Sequence, residues 1–530
     1  MRFNMRKFLI FYLFITAISG CKSEPKVSVE NQTLIGKYHQ NTDIAAFLGI
    51  PFAEPPIDEL RWSAPVHHQP KNSVRHVKSF SPACIQPMGI LEWYRDLAEV
   101  FGNPRNIVED LSINEDCLYL NVWTPTLNNN ADLPVMVYVH GGSNNSGWSF
   151  EPNYHGYALA KKDVVVVSIA YRLGVFGFFS HPEIQGSINA NFGLWDQVLA
   201  LEWIRKNIKK FGGNPNNVTA FGESAGAQDI LALMFADPAK NLFHKAILQS
   251  NAGFGLPQQT NGNGHVRSSM EDERNRGLKL ARILSTSDIP LSLDELKSVT
   301  ADKILNTYQK EFPEHYHSPA VDGYLIKRPT WLDIQNKDLS NMRVIIGTNA
   351  DEYYANTPEN VTPETLEIIA NQLFPSMTDV VMNAVKSESD PRNIIDRLYT
   401  AEGMLCPSEN LAANITSDEG KSWVYYFDRI REGDSAKHPM VRAYHGAELP
   451  YVFNTHDEWM TTTNLDNEIT DIITDYWTNF AKNDNPNNPN IPHWPEFKKD
   501  KNFVQRLGDK IETIPSTESV LCSIYTNQIK

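Results

Sequence analysis

A chain of 530 residues with 41% hydrophobic and 21% charged side chains can bury a large core, and its length allows several domains, although large α/β enzymes often fold as one. Its formal net charge of -15 argues against nucleic-acid binding, which needs clustered Lys and Arg. No tandem repeat, low-complexity block or Pro/Ser linker divides it.

The N-terminus, MRFNMRKFLIFYLFITAISGCKSEPK, reads as a targeting segment. Arg2, Arg6 and Lys7 precede an apolar run, 8–18, too short to span a bilayer comfortably. The run ends in Ile18-Ser19-Gly20-Cys21. Small residues before a cysteine resemble the bacterial lipoprotein cleavage box, in which the cysteine is lipidated and becomes the new N-terminus. Residues 1–20 are then expected as signal peptide and 21–26 as tether, with membrane contact only through lipid on Cys21. Lys22 after the cysteine fits outer-membrane sorting, placing the globular part in the periplasm or outside the cell. Five cysteines are an odd number for an exported chain, and lipidation of Cys21 accounts for the odd one. Cys84, Cys117, Cys406 and Cys522 can form two bridges in any of three connectivities. Asn-x-Ser/Thr triplets, such as the one at Asn31, read as chance.

Residues 27–53 alternate apolar and polar with turn signals, predicting antiparallel strands, and CLYLNVWTP from Cys117 is another strand. The pattern then changes. LPVMVYVHGG (133–142) and DVVVVSIAYRLG (163–174) are continuous β-branched runs, as expected of core strands covered on both faces. Leu194, Val198, Leu201, Ile204 and Ile208 recur at helical spacing, predicting an amphipathic helix over 192–210.

VTAFGESAGAQDI (218–230) runs from a strand into a helix and holds Ser224 between Gly222 and Gly226. A serine exposed on such a sharp turn needs small neighbours, and Gly222, Ala225 and Gly226 supply them. FHKAILQSN (243–251), RVIIGTNADEYY (343–354) and SWVYYFDR (422–429) are read as further strands, TNGNGH (260–265) as an exposed loop, and 468–486 as a helix. The alternation indicates an α/β fold: a large, mostly parallel sheet flanked by helices, with N-terminal antiparallel strands and helical insertions.

A serine nucleophile needs a base to take its proton and an acid to orient that base. In the chain order Ser, acid, His, Glu352 follows the strand ending near Ile346, and His445 lies in a glycine-containing loop after the strand at 422–429. His140-Gly141-Gly142-Ser143, directly after a buried strand, offers backbone N–H groups for a developing oxyanion.

These motifs, with GIPFAEPP (49–56), EDCLYLNVWTP (115–125), YRLGVFGF (171–178), FGGNPNNVTAFGESAG (211–226), SPAVDG (318–323), GTNADE (347–352) and HGAELPYVF (445–453), resemble the type-B carboxylesterases, which include cholinesterases and bacterial para-nitrobenzyl esterases. The resemblance spans about 27 to 525. It implies one α/β-hydrolase domain over 27–530, a serine ester hydrolase forming an acyl-enzyme, with Ser224 as nucleophile, Glu352 as acid and His445 as base. It implies oxyanion N–H groups from Gly142, Ser143 and Ala225, and bridges Cys84–Cys117 and Cys406–Cys522. Arg172 and Asp196 match a structural ion pair, and Glu223 the floor of the active-site gorge. Ser143 replaces the family's third glycine, which puts the aim of one donor in question. The choline-binding tryptophan has no clear counterpart; Trp93 and Tyr94, earlier in the same loop, are either gorge lining or loop packing. No metal or cofactor is implied, and the partner expected is a small-molecule ester. Amide, carbamate or thioester cleavage could use the same triad, and a non-catalytic binding protein on this fold would lack it. Natural substrate and oligomeric state are not legible.

Overall fold

The continuous apolar runs form the middle of one large sheet. The computed structural model describes residues 23–40, 42–251, 269–313, 315–417, 419–432, 438–456 and 459–528. The expected signal peptide, Cys21 and the loop at 260–265 lie outside them. The strands of the sheet are β1 (Lys37–Tyr38), β2 (Ala45–Pro51), β3 (Tyr119–Thr124), β4 (Leu133–Val139), β5 (Val165–Ile169), β6 (Gly213–Glu223), β7 (Lys245–Gln249), β8 (Arg343–Asn349), β9 (Lys421–Phe427), β10 (Phe503–Leu507) and β11 (Ile511–Pro515). Their spatial order is β1-β2-β3-β5-β4-β6-β7-β8-β9-β10-β11. β4 to β10 run parallel, and the edge pairs are antiparallel. A separate small sheet joins Lys26–Val29, Gln32–Ile35 and Ser73–His76.

Alternation along each strand sends side chains to two cores. Val135, Val137 and Val139 of β4 enter one, with Leu194, Val198 and Ile204 of helix α2 (Phe192–Asn207) and Ile230 of helix α3 (Ala225–Met234). Met136 and Tyr138 enter the other, beneath Ile473, Trp477 and Phe480 of helix α4 (Asn464–Asn483). Both faces are covered, which is why these strands are apolar without a polar side.

Three expectations needed correction. Helix α2 is buried nearly all round rather than amphipathic: Glu202, Arg205 and Lys206 are its exposed residues, and even Asp196 and Gln197 are inside. Asp196 and the amide nitrogen of Gln197 find partners inside, whereas Gln197 Oε1 is buried without one. Arg172 donates from Nε and Nη2 to the two Asp196 oxygens at 2.8 and 2.7 Å, and Gln197 donates to Asp229 at 2.5 Å. Helix α4 starts four residues earlier than predicted, because Thr463 and Asp466 form a reciprocal capping box, and it ends at Asp484, in the left-handed conformation at φ 56°. The loop between Cys84 and Cys117 holds an amphipathic helix, Gly89–Val100, which carries Trp93 and Tyr94.

After β4 the chain crosses to β5 on one side, whereas β6 lies on the other. The segments leaving β4 and β6 therefore diverge and open a crevice at the carboxyl ends of the strands. The His140–Ser143 loop and Ser224 follow those two strands.

Candidate active site

Strand β6 ends at Glu223 and helix α3 starts at Ala225, so Ser224 alone makes the turn, at φ 55° and ψ -126°. Such a conformation costs of order 1–3 kcal/mol in a residue with a Cβ and persists only where the surroundings hold it. Here the Ser224 N–H donates to the Gln249 carbonyl of β7 at 2.9 Å, and its own carbonyl accepts from Gln228 N–H at 3.0 Å. The flanking glycines are sterically required. A Cβ at Gly222 would lie 2.6 Å from the Val139 carbonyl oxygen, and one at Gly226 closer still.

Gly141 packs on the serine: a Cβ there would lie 3.0 Å from Ser224 Cβ. Behind it, His140 is buried and stacked on Tyr171, with ring centroids 4.5 Å apart. Burial lowers its pKa to about 4, opposed by a hydrogen bond to the Gly141 carbonyl, so this imidazole is neutral. The single Tyr171 hydroxyl proton is shared between the His140 carbonyl (2.8 Å) and Asn144 Oδ1 (3.1 Å), while Asn144 Nδ2 donates to Asp229 (3.1 Å). These bonds pin the loop. Ser143 sits at φ 58°, in left-handed backbone that favours glycine, and is exposed. Its amide N–H is retained despite the side chain. Ala225 is fully buried at the first position of α3, where an N–H has no partner within the helix.

Glu352 follows β8. Its Oε1 accepts from Ser250 Oγ (2.6 Å), Thr348 Oγ1 (2.6 Å) and Asn349 N–H (2.7 Å), and its Oε2 accepts from His445 Nδ1 at 2.6 Å. Burial alone would raise this carboxyl, but His445 and the hydroxyl donors outweigh it and hold it below its ordinary value. The two loops are stapled together: Arg442 Nε donates to Asp351 at 2.8 Å, and Ala443 N–H donates to the same carboxylate at 3.1 Å.

The other nitrogen of His445, Nε2, lies 3.1 Å from Glu223 Oε1. Burial drives Glu223 up to about 8, opposed by His445. For His445, burial acts downward, and the Glu223 and Glu352 carboxylates overcome it to raise the imidazole. The two groups are close enough to shift each other, so neutralising either weakens the other's shift.

Ser224, Glu352, His445, Gly142, Ser143, Glu223, Trp93 and Tyr94 all line one cavity of about 310 Å³. Residues 224, 352 and 445 of distant segments are therefore brought together, and so are the gorge candidates. Arg172 and Asp196 lie outside its lining, in the buried ion pair. Cys84 bonds to Cys117 and Cys406 to Cys522.

Sequence reasoning passed over Ser250 and Glu448. Ser250 directly follows β7, beside the strand that leads into Ser224, and its position at a parallel-strand terminus was the available signal. Glu448 is fully buried, accepting from Gln249 Nε2 (2.8 Å) and Asn349 Nδ2 (2.6 Å), and it ties β7 and β8 to the His445 loop. Glu151 and Asn153, also passed over, line the cavity.

A model of the carboxylesterase family matches residues 23–522. Carboxylesterase 1D of Rattus norvegicus is 30% identical over 96% of this chain and 96% of its own length. The cocaine esterase of Oryctolagus cuniculus is 32% identical over 87% of each chain. Among solved structures, a PNB esterase aligns with a TM-score of 0.79 at 27% identity, covering 95% of this chain and 99% of that one. A thermophilic PNB esterase aligns with the same TM-score at 28% identity, covering 95% and 100%. These neighbours share the α/β-hydrolase fold.

Proposed function

The chain belongs to the carboxylesterase family and is a carboxylic ester hydrolase, and we propose that it works through a Ser224–His445–Glu352 triad and an acyl-enzyme, as a type-B member of that family. The observation that carries this reading is the 2.6 Å bond from His445 Nδ1 to Glu352, on a cavity that also exposes a serine held in a left-handed elbow.

Glu352 fixes the tautomer that leaves Nε2 free to accept, and stabilises the imidazolium that forms. Nε2 takes the Ser224 proton as Oγ attacks the ester carbonyl, which requires Nε2 to turn from Glu223 towards the serine. Negative charge builds on the carbonyl oxygen, where the N–H groups of Gly142, Ser143 and Ala225 receive it, each worth about 3–4 kcal/mol in this kind of step. Collapse expels the alcohol with the proton from Nε2, and water then repeats the cycle on the acyl-serine. Oxygen esters are the preferred substrates because their leaving groups depart more readily than amines. A thioester reading has one support: a relative 31% identical, in Anas platyrhynchos, is named a fatty acyl-CoA hydrolase.

The cellular reading is also proposed. Residues 1–20 direct export, Cys21 carries lipid, 21–26 tether the single domain over 27–530, and the domain faces the periplasm or the exterior. Two disulfides agree with an oxidising compartment. No helix among the described residues is long and apolar enough to cross a membrane. Mass spectrometry of the mature N-terminus tests the anchor: an unmodified Cys21 removes it.

Hydrolysis of para-nitrophenyl butyrate by wild type and Ser224→Ala tests the mechanism. Equal rates would exclude Ser224 as nucleophile.

A further inference from the structure

One end of the catalytic cavity is polar in a way the proposed triad does not use. The Tyr94 hydroxyl donates to Glu151 Oε2 at 2.7 Å and accepts from Asn153 Nδ2 at 3.1 Å, while Trp148 N–H donates to the second Glu151 oxygen at 3.0 Å. Tyr94, Glu151 and Asn153 are only 2%, 3% and 2% exposed, yet all three line the cavity with Ser224 and His445. Asn153 Oδ1 is buried with no hydrogen-bond partner. An orphaned acceptor of this kind costs about 1–3 kcal/mol unless something fills its valence. An aliphatic substrate would leave it unfilled.

The side of the ester that meets this end follows from the chemistry. The leaving oxygen must come within hydrogen-bonding reach of Nε2, and the neighbour of Nε2 is Glu223, 3.1 Å away. A Cβ on Gly141 would lie 2.8 Å from Glu223 Oε2, and a Cβ on Gly147 would lie 2.8 Å from the Gly141 carbonyl oxygen and 3.1 Å from Glu151 Oε1, so the two carboxyl groups flank the same glycine loop. The polar end therefore adjoins the alcohol side.

Resting on the esterase reading above, we propose that Tyr94, Glu151 and Asn153 form an alcohol-side subsite that selects esters of polyhydroxy alcohols over esters of plain alkanols. A free hydroxyl on the alcohol can donate to Asn153 Oδ1 and exchange hydrogen bonds with the carboxyl groups. Burial raises Glu151 to about 7, so below neutrality it is largely uncharged and able to donate. An uncharged carboxyl suits a neutral polyol and gives little to a quaternary ammonium.

The test is kcat/KM of the purified enzyme at pH 6.5 for 1-glyceryl, propyl and choline butyrate, with para-nitrophenyl butyrate as a common reporter. The expected order puts the glyceryl ester about tenfold or more above the propyl ester, with the choline ester below the glyceryl. Asn153→Leu and Tyr94→Phe move the glyceryl-to-propyl ratio towards one, whatever their absolute rates. A wild-type ratio of one or less, or preference for the choline ester, overturns the subsite while leaving the triad standing. Failure on the reporter as well overturns the triad, and the subsite with it.

Discussion

His445 Nδ1 lies 2.6 Å from Glu352 Oε2, although 92 residues of chain separate the two positions between Tyr353 and Tyr444. The carboxylate holding that imidazole is itself held, by Ser250, Thr348 and the Asn349 N–H, so its position is set by the ends of two neighbouring strands, β7 and β8, at once. A carboxylate so constrained orients the ring and stabilises its protonated form. Both effects vanish in the amide.

Glu352→Gln is therefore expected to lower kcat on para-nitrophenyl butyrate by about 10²- to 10⁴-fold, with little change in KM. Steady-state kinetics checks it, with circular dichroism to show that the variant is folded. A loss under tenfold would remove Glu352 from the role of orienting acid.

Ser224 sits in strained backbone that the proposed nucleophile role would explain. At φ 55° and ψ -126° a glycine is comfortable and a serine is not. Ser224→Gly should abolish activity while stabilising the fold by about 1 kcal/mol, because relieved strain exceeds the added flexibility of the unfolded chain. Thermal denaturation of both proteins decides it: a fall in Tm for the glycine variant contradicts the strain.

The pH profile reports on Glu223. The proposed base works only when His445 is neutral, so the acid limb of kcat/KM follows the imidazole pKa. Against the downward effect of burial, the Glu223 carboxylate is foremost among the groups raising it. Removing that charge lowers the imidazole pKa, so the acid limb of Glu223→Gln should shift to lower pH, with activity retained further into the acid range than in wild type. A limb that stays in place, or moves up, would show that Glu223 does not raise the imidazole.

The two disulfides should separate stability from function. The Cys406–Cys522 bridge lies outside the cavity lining, although the 116 residues of separation it closes include His445, and it is worth roughly 4–5 kcal/mol by loop closure. Its double serine variant should lose several degrees of Tm or more and keep kcat. Cys84–Cys117 closes 33 residues that carry Trp93 and Tyr94 of the cavity wall. Its double variant should lose stability and also raise KM. Paired melting and kinetics check both, and equal effects on KM would contradict the distinction.

The sequence by itself determined the local geometry. Gly222 and Gly226 are needed because backbone passes within contact distance of their α-carbons, a demand written into five consecutive residues. The β-branched runs of β4 and β5 carry their two-sided burial in their composition, since a strand with helices on both faces has no polar side. Residue order and family resemblance brought Glu352 and His445 into view as well. Only the tertiary structure decided what those groups face. That His445 Nε2 lies on Glu223, that Ser250 and Glu448 brace the Glu352 and His445 loops, and that Tyr94, Glu151 and Asn153 make one polar wall all depend on strand register and helix placement. The same holds for the buried face of α2 that carries Asp196 and Gln197. Backbone sterics and hydrophobic period act over a few residues and can be read from them. Polar contacts across tens to hundreds of residues are fixed only when the sheet closes and the strand ends meet.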